Sequence, residues 1–282
     1  MDTNPPRTAR MRIRVPAMVK RHPIRFGLLG LLLTCVVLAA CLVARTLPDG
    51  PIPTATFPAP SGKTDGPLVI VLPGIHDDME SLRASGIVDS VQDANADATV
   101  TLAAASFGYY MDRSLLERLQ TEIIDPARAT GHADIWMAGA SLGGFGTLLY
   151  EREHPGALTG LVLMAPFTGR DELAERIAES GGLRQWEPGP EPSVVHPDDV
   201  PYEVWRMLKQ FAEQPEQAER VWLICGRKDK FHLAAEQIAE VIPASQYLER
   251  PGGHKWAVWA PAAGEVFSAI FSESPPPEGQ PG

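Results

Sequence analysis

Three residues of this chain are of the types that together perform nucleophilic acyl substitution: Ser141, Asp229 and His254. A serine hydroxyl attacks a carbonyl only when a base takes its proton, and a carboxylate fixes the tautomer of an imidazole acting as that base. Ser141 lies in Gly139-Ala140-Ser141-Leu142-Gly143, a G-x-S-x-G pattern. Residues 135–138 before it form a short apolar run with the character of a buried strand. After it, Phe145, Leu148 and Leu149 fall at helical spacing. The pattern predicts a tight strand-to-helix turn that strains the serine backbone and lifts its hydroxyl above the end of a sheet. A Cβ at either glycine would collide with the neighbouring strand or helix. A helix starting here also aims backbone N–H groups and the positive end of its dipole at a developing oxyanion.

The elements around this turn alternate. Apolar runs at 67–73, 99–105, 158–165 and 221–225, with a short strand at 247–248, read as strands. Helical stretches fall at 79–90, 113–129, 231–241 and 256–271. Strand–helix alternation predicts an α/β class domain over 67–271, with a mostly parallel sheet covered on both faces by helices. Residues 167–219 interrupt the alternation with Gly181-Gly182, several prolines and one amphipathic helix near 203–213, and are expected to form a lid. Within it Trp186, Trp205 and Phe211 either line a pocket or pack the lid onto the core, and packing is the simpler reading.

Chemistry in an open α/β sheet collects at the carboxyl ends of the strands. Gly226-Arg227-Lys228-Asp229 follows one strand there, and Pro251-Gly252-Gly253-His254 follows another. The order Ser, Asp, His on this alternating pattern resembles the α/β-hydrolase superfamily, and its serine esterase and lipase-like members in particular. The resemblance covers about 67–271 and implies the α/β-hydrolase fold. It makes Ser141 the nucleophile, His254 the general base and then acid, and Asp229 the residue that orients the imidazole. It places one oxyanion donor at the Leu142 N–H and a second in the loop after the first core strand. Ile75 is the expected second donor, with Gly74 and His76 as alternatives one residue away. Asp171, after another strand, is an alternative acid, and His76, His196 and His232 are alternative bases by residue type alone. Asp77 and Asp78 lack the His or Cys spacing of a metal site and read as a solvated loop. Lys228 and Lys230 read as surface charges, and Cys225, in an apolar run, as core packing. The resemblance implies no metal and no organic cofactor. It implies a small-molecule or lipid acyl substrate, with transfer to an alcohol or a non-catalytic binding role as the rival functions.

Charge divides the chain. Seven of its 25 Lys and Arg residues, but one of its 35 Asp and Glu, lie in the basic segment 1–25. The remainder is strongly acidic, which argues against a nucleic-acid partner. Residues 26–44 are almost unbroken apolar sequence, long enough to span a bilayer. The basic flank before them should stay in the cytoplasm, leaving the rest membrane-associated on the outer side, periplasmic or extracellular. Two forms of tether fit. One is a retained transmembrane anchor. The other is a cleaved lipoprotein signal, since Leu38-Ala39-Ala40-Cys41 has lipobox character and Met18 would give such a signal ordinary proportions. Residues 45–66, rich in Pro, Gly, Ser and Thr, read as a linker, and 272–282 as a disordered tail. Cys35 and Cys41 fall in the apolar segment, so the body holds one cysteine and no intramolecular disulfide.

Overall fold

The computed structural model describes residues 50–273. The basic segment, the apolar segment and the last nine residues lie outside them, and so do the expectations of an anchor, a signal and most of the tail. Among the described residues no helix is long and apolar enough to cross a membrane.

Seven strands form one sheet in the order β1-β3-β2-β4-β5-β6-β7. They are β1 (Thr54–Phe57), β2 (Leu68–Leu72), β3 (Thr99–Ala103), β4 (Ile135–Ala140), β5 (Gly160–Met164), β6 (Val221–Gly226) and β7 (Tyr247–Arg250). All neighbours from β3 to β7 pair in parallel, and β1 pairs antiparallel with β3. Strands β2 to β6 are buried at every residue, as a parallel sheet covered on both faces requires. The covering helices include α1 (Met79–Ala84), α2 (Ile87–Ala94), α3 (Phe107–Met111), α4 (Leu142–Glu153), α5 (Asp171–Glu179), α6 (Val200–Gln210), α7 (His232–Ala239) and α8 (Trp256–Glu273). A helical run over 115–129, π-helical through Leu119–Ile124, precedes β4.

The linker expected at 45–66 needs correction, because its described part carries β1. Thr54-Ala55-Thr56-Phe57 has the two-residue alternation of an edge strand, with Ala55 buried between exposed threonines. Prolines at 51, 53 and 58 concealed it, yet proline on an edge strand loses no ladder bond it needs. The expected tail also begins later, since α8 continues through Ser272 to Glu273.

Residues 167–219 contain α5 and α6. Trp205 is fully buried and donates from Nε1 to the Thr168 carbonyl at 3.0 Å. Trp186 packs edge-on against Tyr202 at 5.0 Å, and Phe211 is also buried. These contacts lie within the insertion, which meets the body through Phe167, edge-on to Phe145 at 5.5 Å and to Phe231 at 5.8 Å. None of its residues lines the cleft that contains Ser141.

The order of the strands fixes where chemistry can occur. From β2 the chain moves to β3 on one side and then returns to β4 on the other. The carboxyl ends of β2 and β4 thus flank a topological switch point, where the loops diverge and leave a crevice.

Candidate active site

Ser141 stands at that crevice, between the last residue of β4 and the first of α4. Its backbone has φ 52° and ψ −111°, a conformation side chains rarely adopt. Strand β5 and the loop after it hold it there. Its N–H donates to the Met164 carbonyl at 2.9 Å, and its own carbonyl accepts from Phe167 N–H at 2.9 Å. The motif glycines are dictated by contact. A Cβ on Gly139 would stand 2.2 Å from the Gly143 carbonyl oxygen, and one on Gly143 would stand 2.4 Å from the Leu72 carbonyl oxygen. The start of α4 therefore lies directly on the end of β2. The Leu142 N–H, first in the helix, has no carbonyl one turn back to bond and points out at the helix terminus. Tyr110, on α3, donates from its buried hydroxyl to the Leu142 carbonyl at 3.0 Å and steadies this turn. Burial holds that phenol above its ordinary range.

Acid and base are joined by two turns lying backbone against backbone. Lys228 N–H donates to the Gly252 carbonyl at 2.8 Å, and Arg227 N–H to the Arg250 carbonyl at 2.9 Å. A Cβ on Gly226 would meet the Gly252 carbonyl oxygen at 2.6 Å, so only glycine permits the approach. The result is a 2.8 Å hydrogen bond between His254 Nδ1 and Asp229 Oδ1. The Asp229 side chain is wholly buried, and its Oδ1 also accepts from Phe231 N–H at 3.0 Å. The imidazole is wedged between Phe231 and Trp259, whose rings stand nearly perpendicular to it at 5.1 and 4.7 Å. These contacts fix its orientation and leave Nε2 as the nitrogen available to a reacting group.

Ser141 and His254 line one cleft of about 280 Å³, together with Gly74, Ile75, His76, Asp77, Lys230, Lys255, Trp256 and Trp259. No hydrogen bond joins Ser141 to His254 among the described residues, and such bonds commonly tighten only as substrate is engaged. Of the alternatives, His76 lines the cleft. Asp171 is exposed at the start of α5, and His196 is likewise outside the cleft. His232 is occupied by Glu249, at 2.9 Å from Nε2.

The loop after β2 holds a residue whose part the sequence did not disclose. Asp77 Oδ2 accepts from Gly74 N–H and from the Trp256 indole N–H, each at 2.9 Å. One carboxylate oxygen therefore ties the loop beside Ser141 to the start of α8, 179 positions away. This corrects the solvated-loop reading of Asp77. It also removes Gly74 as an oxyanion donor, because its N–H is already engaged. Ile75, 45% exposed, remains at the cleft wall. Asp78 has a different task, capping α1 by accepting from Ser81 N–H at 2.9 Å. Among the described residues no group of three or more His, Cys, Asp or Glu is arranged to hold a metal ion. Cys225 is fully buried in β6, and burial, with the nearby Asp229 charge, pushes its thiol up to about 12.

No family model matches this sequence, and no curated protein matches it. Solved structures do. Est1E from Butyrivibrio proteoclasticus, with ferulic acid bound, is 16% identical with a TM-score of 0.52, over 79% of this chain and 94% of that one. A ferulic acid esterase is 14% identical with a TM-score of 0.53, over 78% of this chain and 91% of that one. The S-formylglutathione hydrolase FrmB from Staphylococcus aureus is 15% identical with a TM-score of 0.52, over 79% of this chain and 98% of that one. At these identities the likeness is one of fold, and the fold is that of the α/β hydrolases.

Proposed function

We propose that this chain is a serine hydrolase that cleaves a carboxylic ester or related acyl compound through an acyl-enzyme. One observation carries the reading: the hydrogen-bonded Asp229–His254 pair opens onto the same cleft as a serine held at positive φ on a strand-to-helix turn. The ferulic acid esterase and the S-formylglutathione hydrolase among the structural relatives accord with it.

In this reading Ser141 Oγ attacks the substrate carbonyl as its proton passes to His254 Nε2. The Asp229 carboxylate holds the Nδ1–H tautomer and stabilises the imidazolium that forms. The tetrahedral oxyanion is met by the N–H groups of Leu142 and Ile75. Collapse expels the alcohol, which takes the proton from His254 and leaves an ester on Ser141. Water, deprotonated by the same imidazole, then releases the acid. The apolar segment 26–44 holds this body to the outer face of a membrane. Its length and basic flank support that part of the proposal.

The test is labelling of the full-length protein with a fluorophosphonate probe, beside Ser141→Ala and His254→Ala variants that retain the native melting profile. Labelling of the wild type, lost in both variants, is the expected result. A folded wild type that neither labels nor turns over any aryl ester refutes the assignment. For the tether, a lipidated Cys41 should give a mature chain that begins at Cys41 and carries added acyl mass, both lost in Cys41→Ala, whereas a retained anchor should leave residues 26–44 in the membrane-bound protein with or without that substitution.

A further inference from the structure

The described residues contain five lysines in an acidic chain of net charge −10. Two of them are occupied. Lys63 pairs with Asp97 at 3.6 Å, and Lys209 donates to the Arg184 carbonyl at 3.0 Å. The other three, Lys228, Lys230 and Lys255, lie in the two turns that carry Asp229 and His254, and none has an anionic partner among the described residues. Lys230 and Lys255 line the cleft itself. Lys230 is also positioned, with its Nζ 4.7 Å from the centre of the Phe231 ring that packs against His254. Asp77, the one carboxylate among the described residues that line the cleft, spends its Oδ2 on Gly74 and Trp256.

A like-charged body would repel an anion everywhere except where unpaired cations collect. The unpaired lysines of the described residues collect at the edge of a cleft whose low-dielectric walls focus the field, whereas arginines without an ion pair, such as Arg113, Arg152, Arg170 and Arg176, lie outside its lining. Uncompensated ammonium groups beside a reacting centre also gain most from a partner that the substrate brings. We infer that the cleft takes an ester bearing a negatively charged group, such as a carboxylate, held by Lys230 and Lys255. This deepens the serine-hydrolase reading and rests on it for the reaction, though not for the binding.

Matched ester pairs test it on the full-length protein. With the charge on the leaving alcohol, 4-acetoxybenzoate is compared with its methyl ester. With the charge on the acyl group, phenyl hemisuccinate is compared with methyl phenyl succinate. An exposed ion pair is worth roughly two- to fivefold, so at low salt one of the two pairs should favour the anion by about tenfold in kcat/KM. That ratio should fall about threefold in Lys230→Ala or Lys255→Ala and about tenfold in the double variant. It should return in the Lys→Arg forms and shrink in 0.5 M NaCl. Lys63→Ala should leave both rates unchanged. A ratio near one in both pairs, or one that the double variant preserves, overturns the inference. Titration of Trp256 and Trp259 fluorescence with 4-hydroxybenzoate against the neutral methyl 4-hydroxybenzoate gives a readout without turnover. Tighter binding of the anion that depends on the lysines supports the inference even where no ester is cleaved. Equal binding, unmoved by the double variant, overturns it. Loss of all ester turnover and of fluorophosphonate labelling overturns the hydrolase reading instead.

Discussion

Asp77→Ala should lower kcat by roughly 100-fold with little change in KM. Among the described residues Asp77 Oδ2 is the only side-chain acceptor on the Gly74 N–H, and it reaches Trp256 at the same 2.9 Å. Hydrogen bonds to a charged group contribute about 1.5–3 kcal/mol each. Partial exposure of Asp77 puts both at the low end, so the two together hold the loop by about 3 kcal/mol. Without them Gly74 and the adjoining Ile75 N–H are free to leave the position where an oxyanion forms. Removal of one such donor costs about 2.7–4 kcal/mol in the transition state, or roughly 10²–10³ in kcat. Substrate in its ground state does not use that donor, which is why KM should stay put. Asp77→Asn keeps a carbonyl oxygen for both donors and loses only their charge assistance, so its kcat should fall by about tenfold or less. Trp256→Phe keeps the ring and deletes one donor, and should fall between the two. The assay is steady-state hydrolysis of an aryl acetate, with a thermal melt of each variant to show that the fold persists. A folded Asp77→Ala with kcat within threefold of wild type would refute the reasoning, because the loop would then be held by something else.

Three further outcomes follow from the same packing. Gly139→Ala places a Cβ 2.2 Å from a backbone oxygen and 2.5 Å from Thr147 Oγ1, and urea denaturation should show a loss of about 3 kcal/mol or an insoluble protein. Iodoacetamide at pH 8 should leave Cys225 unmodified in the native protein and alkylate it after denaturation, as peptide mapping would reveal, because burial shields the thiol and pushes it up to about 12. Glu249 is held below the usual carboxylate range by hydrogen bonds from Arg227, at 2.7 Å, and His232, at 2.9 Å. Its folded value is depressed, so its stabilisation is present above the unfolded carboxylate value and is lost as pH falls through the folded one. Glu249→Gln should therefore melt below wild type near neutral pH, with the gap closing in acid below about pH 4.

What the sequence disclosed about this molecule, and what it withheld, divides along a physical line. Gly139, Gly143 and Gly226 mark places where one backbone lies against another, and Gly252 a turn at φ 127°. A glycine demanded by such contact is local, so the turns carrying Ser141, Asp229 and His254 could be located from a few residues each. The buried strands were equally legible, because burial on both faces makes a continuous apolar run. Strand β1 was not, since an edge strand buries one face and its prolines look like linker. Asp77 was hidden for a stronger reason. Next to Asp78 in a turn, it has the composition of a solvated loop, and only its partner at Trp256, 179 positions later, gives it a task. The same holds for Lys230 and Lys255. Beside Asp229 a lysine reads as surface charge, and so does one beside His254. Once the turns at 226–229 and 251–254 are brought together by their glycines, both charges line one cleft with Ser141. Residue types that carry chemistry announce themselves singly, while residues that aim or select acquire their meaning only from what the fold sets opposite them. Selectivity in this cleft should accordingly move with substitutions at Lys230 and Lys255, and turnover with those at Asp77, while the Ser141, Asp229 and His254 pattern stays intact.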